Sequence, residues 1–322
     1  MLARISTLLA LACLMSACLD LDLAGFGRPR PLVETTVLGE RGPKLAMVDI
    51  SGVISENTPR GILGLQSGPG QIARLREALD LAADDPEVAA LLLRIRTPGG
   101  TVSATETIHH ELLRWKAETG RPVIAFLNGL ATSGGYYIAM AADEVVAHPT
   151  VITGSIGVIM VGLNFSGLME RFGIADQSVK SGPYKDAGSP LRKMTPEETA
   201  QLQGVVDDLH ARFIEIVDSG RPALERAAVL ELADGRIYTS RQALDLGLID
   251  RIGYLEDAAK AAESRSGISE SRVVTYHPPG AYKHNIYNGS DLPPVQVIDL
   301  HLLPAGESSL QPGFYYLWPF GR

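Results

Sequence analysis

The stretch Asn128–Val158, NGLATSGGYYIAMAADEVVAHPTVITGSIGV, decides both the fold and the chemistry of this chain. It directly follows the apolar segment Pro122–Leu127, PVIAFL, whose composition is typical of a strand buried on both faces. The next segment, Tyr136–Ala142, has the pattern of a short helix. Ser133 and the two glycines after it therefore lie at a strand-to-helix turn, where a hydroxyl faces the free N–H groups of a helix N-terminus.

Two interpretations of Ser133 follow from this local pattern. A serine at such a turn can act as a nucleophile, because the free N–H groups favour developing negative charge. A serine that only caps an ordinary helix has the same pattern. The G-x-S-x-G nucleophile elbow is not present, because Ala131 replaces its first glycine.

Strands and helices alternate along the chain. Strands are predicted at Lys44–Ile54, Val88–Ile95, Pro122–Leu127, Glu144–Ala147, Val151–Ile152 and Ala175–Val179, and further helices at Gln71–Ala83, Thr101–Glu118 and Pro196–Asp218. This alternation predicts an α/β domain with a parallel sheet and right-handed crossovers. Active sites on such sheets lie at the carboxyl ends of the strands.

A second glycine-rich turn, Arg94–Gly100 or RIRTPGG, closes another buried strand. Gly99 and Gly100 leave bare N–H groups that, with the N–H of Gly134, could bind an oxyanion. A type II turn, which Pro-Gly favours, is the alternative explanation of this motif.

Four ordered segments carry a resemblance to a known family. They are ATSGGYYIAMAADEVVAHP (131–149), ITGSIGV (152–158), SGPYKDAGSP (181–190) and ADGRIYTSRQALDLGLID (233–250). Together they resemble the S49 family of signal peptide peptidases, the SppA-like serine peptidases, over roughly Lys44 to Ala262. The resemblance implies a Clp protease/crotonase-like α/β fold.

The resemblance also implies roles for three side chains. Ser133 is the nucleophile, Lys185 is the general base, and Ser155 hydrogen-bonds the lysine, although a simple turn serine explains Ser155 equally well. A lysine accepts a proton only in its neutral form, which burial away from water favours. The family has a small polar residue and a serine before the Pro-Gly-Gly turn, where this chain has Arg96 and Thr97.

The composition excludes several other classes of site. None of the seven histidines lies in a catalytic or metal-binding pattern, so we expect neither a metal nor a cofactor. The net charge of −8, without a basic cluster outside the N-terminus, argues against a nucleic-acid partner.

The N-terminus has the pattern of an export signal. Residues 1–17 are a predicted signal peptide, because the apolar run Ile5–Ala17 is shorter than the about 20 residues that cross a bilayer. Cys18 follows two small residues and is the predicted lipidation site. A plain cleaved signal and an uncleaved anchor are the alternatives. Residues 18–43, rich in Gly and Pro, are predicted to form a tether.

These observations predict an exported, membrane-anchored peptidase. The expected layout is a peptidase domain at 44–264 and a tail rich in Pro and aromatic residues at 265–322. We expect a Ser/Lys dyad that hydrolyses released signal peptides or other apolar, membrane-associated peptides. The resemblance and the apolar tail also predict a homo-oligomer at the membrane surface. The alternatives are a crotonase-like acyl-CoA enzyme and a catalytically silent, membrane-tethered scaffold.

Overall fold

The computed structural model describes residues 31–56, 69–281, 283, 285–287 and 313–318. The helices are α1 (Gln71–Asp84), α2 (Val102–Thr119), α3 (Gly134–Ala139), α4 (Ser166–Arg171), α5 (Pro196–Gly220), α6 (Arg226–Leu232), α7 (Ser240–Asp245) and α8 (Leu255–Ser266). The strands are β1 (Val33–Leu38), β2 (Lys44–Ser51), β3 (Val88–Thr97), β4 (Gly99–Thr101), β5 (Val123–Thr132), β6 (Glu144–Ala147), β7 (Ile152–Gly154), β8 (Ile159–Val161), β9 (Ile237–Thr239), β10 (Arg251–Ile252), β11 (Arg272–His277) and β12 (Gly313–Leu317). The predicted signal peptide and Cys18 lie outside the described residues.

The central sheet has the strand order β1-β11-β2-β3-β5-β6-β10, with β7 and β9 joined to the end of β5. Strands β11, β2, β3, β5, β6 and β10 run parallel, while the β1–β11 and β7–β9 pairs are antiparallel. Parallel strands need crossover connections, and α1 and α2 supply them between β2, β3 and β5. The mostly parallel sheet with flanking helices confirms the predicted α/β fold class.

The two faces of the sheet are covered by different helices. On β2, Leu45 and Met47 pack into the core under α8, whereas Ala46 and Val48 pack into the larger core under α1, α2, α3 and α5. This division follows from the alternation of side chains along a strand, which sends successive residues to opposite faces. Continuous apolar runs such as VAALLL at the start of β3 result because both faces are covered.

A second, three-stranded antiparallel sheet lies beside the carboxyl ends of the central strands. Its order is β4-β12-β8, so the C-terminal strand lies between the glycine-rich turn and the segment after Ser155. The end of the chain therefore packs against the body of the protein, at residues 313–318.

Two features differ from the sequence-based expectations. Ala175–Val179 is not a strand: these residues are exposed, and none of the described strands pairs with them. The sheet also extends beyond the expected domain limits of 44 and 264, because β1 and β11 add to the edge of β2 and the later limit falls within α8. Within the part of the chain that the structure describes, no helix is long and apolar enough to cross a bilayer.

Candidate active site

Ser133 links the end of β5 to the start of α3, as the sequence predicts. Its φ of 53° is a positive value that residues with a Cβ seldom adopt. The side chain is only 1% exposed. Its Oγ has no hydrogen-bond partner among the described residues, and an unpaired buried hydroxyl is costly. Strain and an unsatisfied polar group together are typical of a functional residue.

Ser155 lies next to Ser133 at the same edge of the sheet. The parallel pairing of β5 and β7 sets Thr132 beside Gly154, so the two serines follow paired residues. The N–H of Ser133 donates to the carbonyl of Gly154 at 2.7 Å. Ser155 also has a positive φ, of 54°, and is 7% exposed. The structure therefore brings together these two residues, which are 22 positions apart (155 − 133).

The glycine-rich turn packs directly against the turn of Ser133. A Cβ on Gly99 would lie 2.9 Å from the N atom of Gly134, so glycine is required for this approach. The N–H of Gly99 donates to Oγ1 of Thr97 at 3.0 Å, which shapes the turn. Thr97, at the position where the family has serine, thus keeps a hydroxyl at the base of the turn.

The N–H of Gly100 points the other way, toward β12. On either side of Gly100, the backbone of β4 is hydrogen-bonded to Ile54. The N–H of Ile54 donates to Gly99 O, and the N–H of Thr101 donates to Ile54 O, both at 2.9 Å. Because backbone groups alternate in direction along a strand, the N–H between these two bonds faces the opposite edge. Since the N–H of Gly99 is taken by Thr97, Gly100 and Gly134 are left as the candidate oxyanion donors among the three glycines.

Lys185 does not contact Ser133 in the single chain. It lies in a turn, with its N–H donating to Gly182 O at 3.2 Å, and its side chain is exposed. It forms no ion pair with any described residue, and the unpartnered Oγ of Ser133 accepts no hydrogen bond from it. This exposed position is the opposite of the dry environment that a lysine base needs.

The carboxylate next to Lys185 is committed elsewhere. Asp186 pairs with Arg192 and with Lys180, each at 2.6 Å, and these hydrogen bonds hold the pKa of the Asp186 carboxyl well below its usual range. Arg192 also donates to the buried Glu198 at the start of α5 at 2.8 Å, which lowers the pKa of Glu198 to about 2. Arg192 therefore links the turn that carries Lys185 to α5, and the carboxylate of Asp186 forms its ion pairs with residues other than Lys185.

An aromatic pocket beside Ser133 was not predicted from the sequence. Tyr137 on α3 stacks on Tyr316 of β12, with ring centroids 5.0 Å apart, and both rings contact Phe213 of α5 at 4.9 Å. Burial raises the pKa of both tyrosines. The only sequence signal was the aromatic-rich C-terminus, which by itself does not indicate where it packs.

The described residues contain no cluster of three or more His, Cys, Asp or Glu side chains that could hold a metal ion. Among these residues, the site offers the chemistry of hydroxyls and backbone N–H groups, while Lys185 lies exposed on the segment that follows Ser155 in the chain.

Comparisons with known proteins point to one family. The model for peptidase family S49 matches residues 116–269. The inferred protease slr0021 of Synechocystis sp. is 38% identical over 231 residues, which cover 71% of this chain and 77% of that protein. The inferred signal peptide peptidase SppA of Enterococcus faecium is 35% identical over 243 residues, covering 76% and 70% of the two chains. Protease 4 of Salmonella typhi is 33% identical over 227 residues, 70% of this chain but 35% of its own length.

Proposed function

The chain belongs to peptidase family S49 and is a serine peptidase, and on that premise we propose that Ser133 and Lys185 form its catalytic dyad. One observation carries the proposal: Ser133 is strained, buried and without a hydrogen-bond partner among the described residues, and it lies against the glycine-rich turn. These are the features of a nucleophile beside an oxyanion site.

The proposed reaction is acyl transfer through an ester intermediate. Ser133 Oγ attacks the peptide carbonyl carbon while Lys185 Nζ takes the hydroxyl proton and then gives it to the leaving amine. Water then attacks the ester carbonyl carbon while Lys185 Nζ takes a proton from it, and the lysine returns this proton to Ser133 Oγ as the ester bond breaks and the carboxylic acid product leaves. The N–H groups of Gly100 and Gly134 would stabilise the oxyanion, and losing one such donor costs about 3–4 kcal/mol of transition-state stabilisation. Ser155 would orient the lysine amine.

We propose that Lys185 reaches Ser133 in a homo-oligomer, from a second copy of the chain. Residues 162–194, called here the arm, include no buried residue. The arm exposes large apolar side chains, among them Leu163 at 68%, Phe172 at 73% and Val179 at 100%. Exposed apolar surface of this extent is typical of an interaction site. Packing a neighbour on the arm would bury these side chains and remove water from around Lys185.

The proposed substrates are apolar, membrane-associated peptides, including released signal peptides. Two lines support this class: the Enterococcus faecium relative is named as a signal peptide peptidase, and the N-terminal sequence predicts export and a lipid on Cys18. An enzyme held at the membrane surface would meet such peptides where they are released.

The test is labelling and turnover in the full-length protein. A fluorophosphonate probe should modify Ser133 in the wild type and not in Ser133→Ala, with the exposed Ser264→Ala as the matched control. Hydrolysis of fluorogenic peptides should follow the same pattern. Turnover retained by Ser133→Ala would overturn the dyad, and thioester hydrolysis by that variant would favour a crotonase-like enzyme. A folded wild type that neither labels nor cleaves would favour a silent scaffold.

A further inference from the structure

A small cavity of about 110 Å³ lies at the end of β11, between β2 and α1. It forms because the two strands differ in length: β11 pairs with β2 only from Lys44 to Met47, whereas β2 continues to Ser51. Beyond the last pair, the edge of β2 faces the first two turns of α1. Ser133 is not among the residues that line this cavity, so the cavity is separate from the proposed active site.

The residues of α1 that line the cavity are spaced three and four positions apart. They are Gln71, Arg74, Leu75 and Ala78, and this spacing places them on one face of the helix. Leu75 and Ala78 are buried and form an apolar wall together with Met47 of β2. The cavity therefore combines a polar part, from the first turn of α1, with an apolar part.

The guanidinium of Arg74 is half-buried and forms no ion pair with a described residue. Burial lowers the pKa of the Arg74 guanidinium from its usual value, and no described charge offsets this effect. Among the described residues, the one carboxylate that lines the cavity is Asp49. It accepts two hydrogen bonds from Arg94, at 2.6 and 2.7 Å, and lies 3.8 Å from Nζ of Lys283. An anion would stabilise the partly desolvated Arg74, and the planar guanidinium matches a carboxylate.

Gln71 adds a second unsatisfied group to the same cavity. Its Nε2 donates to the carbonyl of Ser51 at 3.0 Å, whereas its Oε1 is buried and has no hydrogen-bond partner among the described residues. A buried amide oxygen without a donor is costly. Because Gln71 and Arg74 are three positions apart, their side chains are neighbours on the helix surface, and one ligand can contact both.

These groups and the size of the cavity define the chemistry of a ligand. Arg74 requires a carboxylate, Oε1 of Gln71 requires a donor such as an ammonium group, and the apolar wall requires a short aliphatic chain. A cavity of about 150 Å³ holds benzene, so one of about 110 Å³ holds a molecule of roughly six to eight non-hydrogen atoms. Alanine and valine carry these three groups and have this size.

We propose that the cavity binds a free α-amino acid with a small aliphatic side chain, such as valine. The carboxylate of the ligand pairs with Arg74, its ammonium group donates to Oε1 of Gln71, and its side chain packs against Leu75 and Ala78. Such amino acids are end products of peptide hydrolysis. The ligand class is therefore consistent with the proposed peptidase function, but binding does not depend on that function.

A bound amino acid restrains the end of β2 that supports the glycine-rich turn. The Nε2 of Gln71 holds the carbonyl of Ser51, and the carbonyl of the next residue, Gly52, accepts a hydrogen bond from Oγ1 of Thr97. Thr97 in turn accepts the N–H of Gly99. Fixing the Gln71 side chain from within the cavity therefore limits motion along this path.

The binding test titrates the full-length protein with L-valine and follows saturation-transfer NMR. Saturable binding is expected, with a Kd of about 0.1–10 mM for a ligand of about eight non-hydrogen atoms. Isovalerate lacks the ammonium group and isobutylamine lacks the carboxylate, so each should bind at least fivefold more weakly than valine. If either binds as tightly as valine, the assignment to an amino acid is overturned.

Two variants locate the site. Arg74→Gln should weaken valine binding at least tenfold, whereas Arg76→Gln, at an exposed arginine of the same helix, should not change it. Ala78→Leu fills the cavity and should abolish binding, whereas Ala73→Leu, on the exposed face of α1, should have no effect. Valine binding that survives Arg74→Gln or a folded Ala78→Leu protein overturns the site. If Ala78→Leu does not fold, Arg74→Gln decides, because its side chain is only half-buried.

Hydrogen–deuterium exchange tests the restraint on β2. The N–H groups of Gly52 and Ile54 donate to Arg96 O at 3.2 Å and to Gly99 O at 2.9 Å. With saturating L-valine, the peptide that covers these two amides should exchange at least threefold more slowly in the wild type and at an unchanged rate in Arg74→Gln. Unchanged exchange in the valine-saturated wild type overturns the restraint. Neither measurement uses peptide hydrolysis, so failure of the proposed function would leave both results in place.

Discussion

At the scale of single residues, the site combines strain with an unsatisfied hydroxyl. Ser133 and Ser155 are the two non-glycine residues with positive φ in the described part of the chain, and both lie at the same sheet edge. A sparsely populated backbone conformation costs on the order of 1–3 kcal/mol and persists only when neighbouring structure enforces it. Here the enforcing structure is the β5–β7 pairing, which continues up to Thr132 and Gly154.

The unpaired hydroxyl of Ser133 should lower the free energy of unfolding of the protein. We expect Ser133→Ala to abolish peptide hydrolysis and to raise the free energy of unfolding by about 1 kcal/mol, because it removes an unpaired buried polar group. Ser240 is the matched control: it is also buried, but its Oγ donates to Pro149 O at 2.6 Å. Ser240→Ala should destabilise by about 1 kcal/mol. Chemical denaturation measures both, and equal destabilisation by the two changes would contradict this reasoning.

Lys185 should be dispensable for folding and essential for turnover. Its side chain is exposed and pairs with no described carboxylate, so Lys185→Met should leave the melting temperature of the isolated chain within a few degrees of wild type. The same change should abolish hydrolysis of a fluorogenic peptide, because methionine has no amine to accept the Ser133 proton. Lys193→Met, at another exposed lysine of the arm, is the control and should retain turnover. Near-wild-type turnover by Lys185→Met would rule out the dyad.

At the scale of elements, the arm is tied to α5 by one arginine. Arg192 bridges Asp186, next to Lys185, and Glu198, whose side chain also completes the capping box of α5 with Thr195. The orientation of the Lys185 turn therefore depends on an ion-pair network anchored at a buried carboxylate. A network with a buried member holds its geometry better than an isolated surface pair.

This network should show in the pH dependence of stability. The pKa of Glu198 in the folded protein, about 2, lies below its usual value. The ion pair of Glu198 therefore adds to the free energy of unfolding above about pH 4.5, and this contribution is lost as the pH falls toward 2. We expect Arg192→Gln to lower the melting temperature most above pH 4.5, with the difference from wild type shrinking on acidification. Arg226→Gln, which breaks the exposed pair with Asp218, should cause a much smaller change. A pH-independent difference for Arg192→Gln would show that the arginine acts by packing instead.

At the scale of the whole molecule, the described chain holds the proposed nucleophile and the proposed base apart. Ser133 is buried and has no hydrogen-bond partner for its Oγ among the described residues, whereas Lys185 lies on an arm whose apolar side chains face solvent. Both features are explained if the active assembly contains several copies, each giving its arm to a neighbour. An arm of this kind would bury apolar surface and desolvate Lys185 in the same contact.

Complementation between two inactive variants tests this arrangement. Ser133→Ala and Lys185→Met should each be inactive alone, and co-assembled full-length protein should regain a measurable fraction of wild-type turnover, because some contacts pair an intact serine with an intact lysine. The arm variant Val179→Asp, at a fully exposed residue, should lower both the assembly mass in light scattering and the turnover. A monomeric wild type that cleaves peptides, or mixed variants that stay inactive, would refute assembly through the arm.

The local elements around the site could be predicted from the sequence because short-range physics fixes them. A buried apolar run followed by Ser-Gly-Gly gives a strand, a tight turn and a helix, and Pro-Gly-Gly after β3 gives a second turn at the same sheet edge. The prediction of a strand at Ala175–Val179 was wrong because residues with strand propensity form a strand only where a neighbouring strand pairs with them. Lys185 was assigned from the family resemblance, and no local pattern states which serine a lysine will meet.

The sequence by itself determined the parallel α/β framework, the turn that carries Ser133 and the glycines beside it. Only the tertiary structure decided that Gly99 uses its N–H on Thr97, that Ser155 lies next to Ser133, and that Tyr316 enters the site. Tyr316 pairs with Gly100, 216 positions earlier in the chain (316 − 100). The partner and register of a short strand are set by the edges and pockets that the folded body presents, since its own residues encode only a preference for extended backbone.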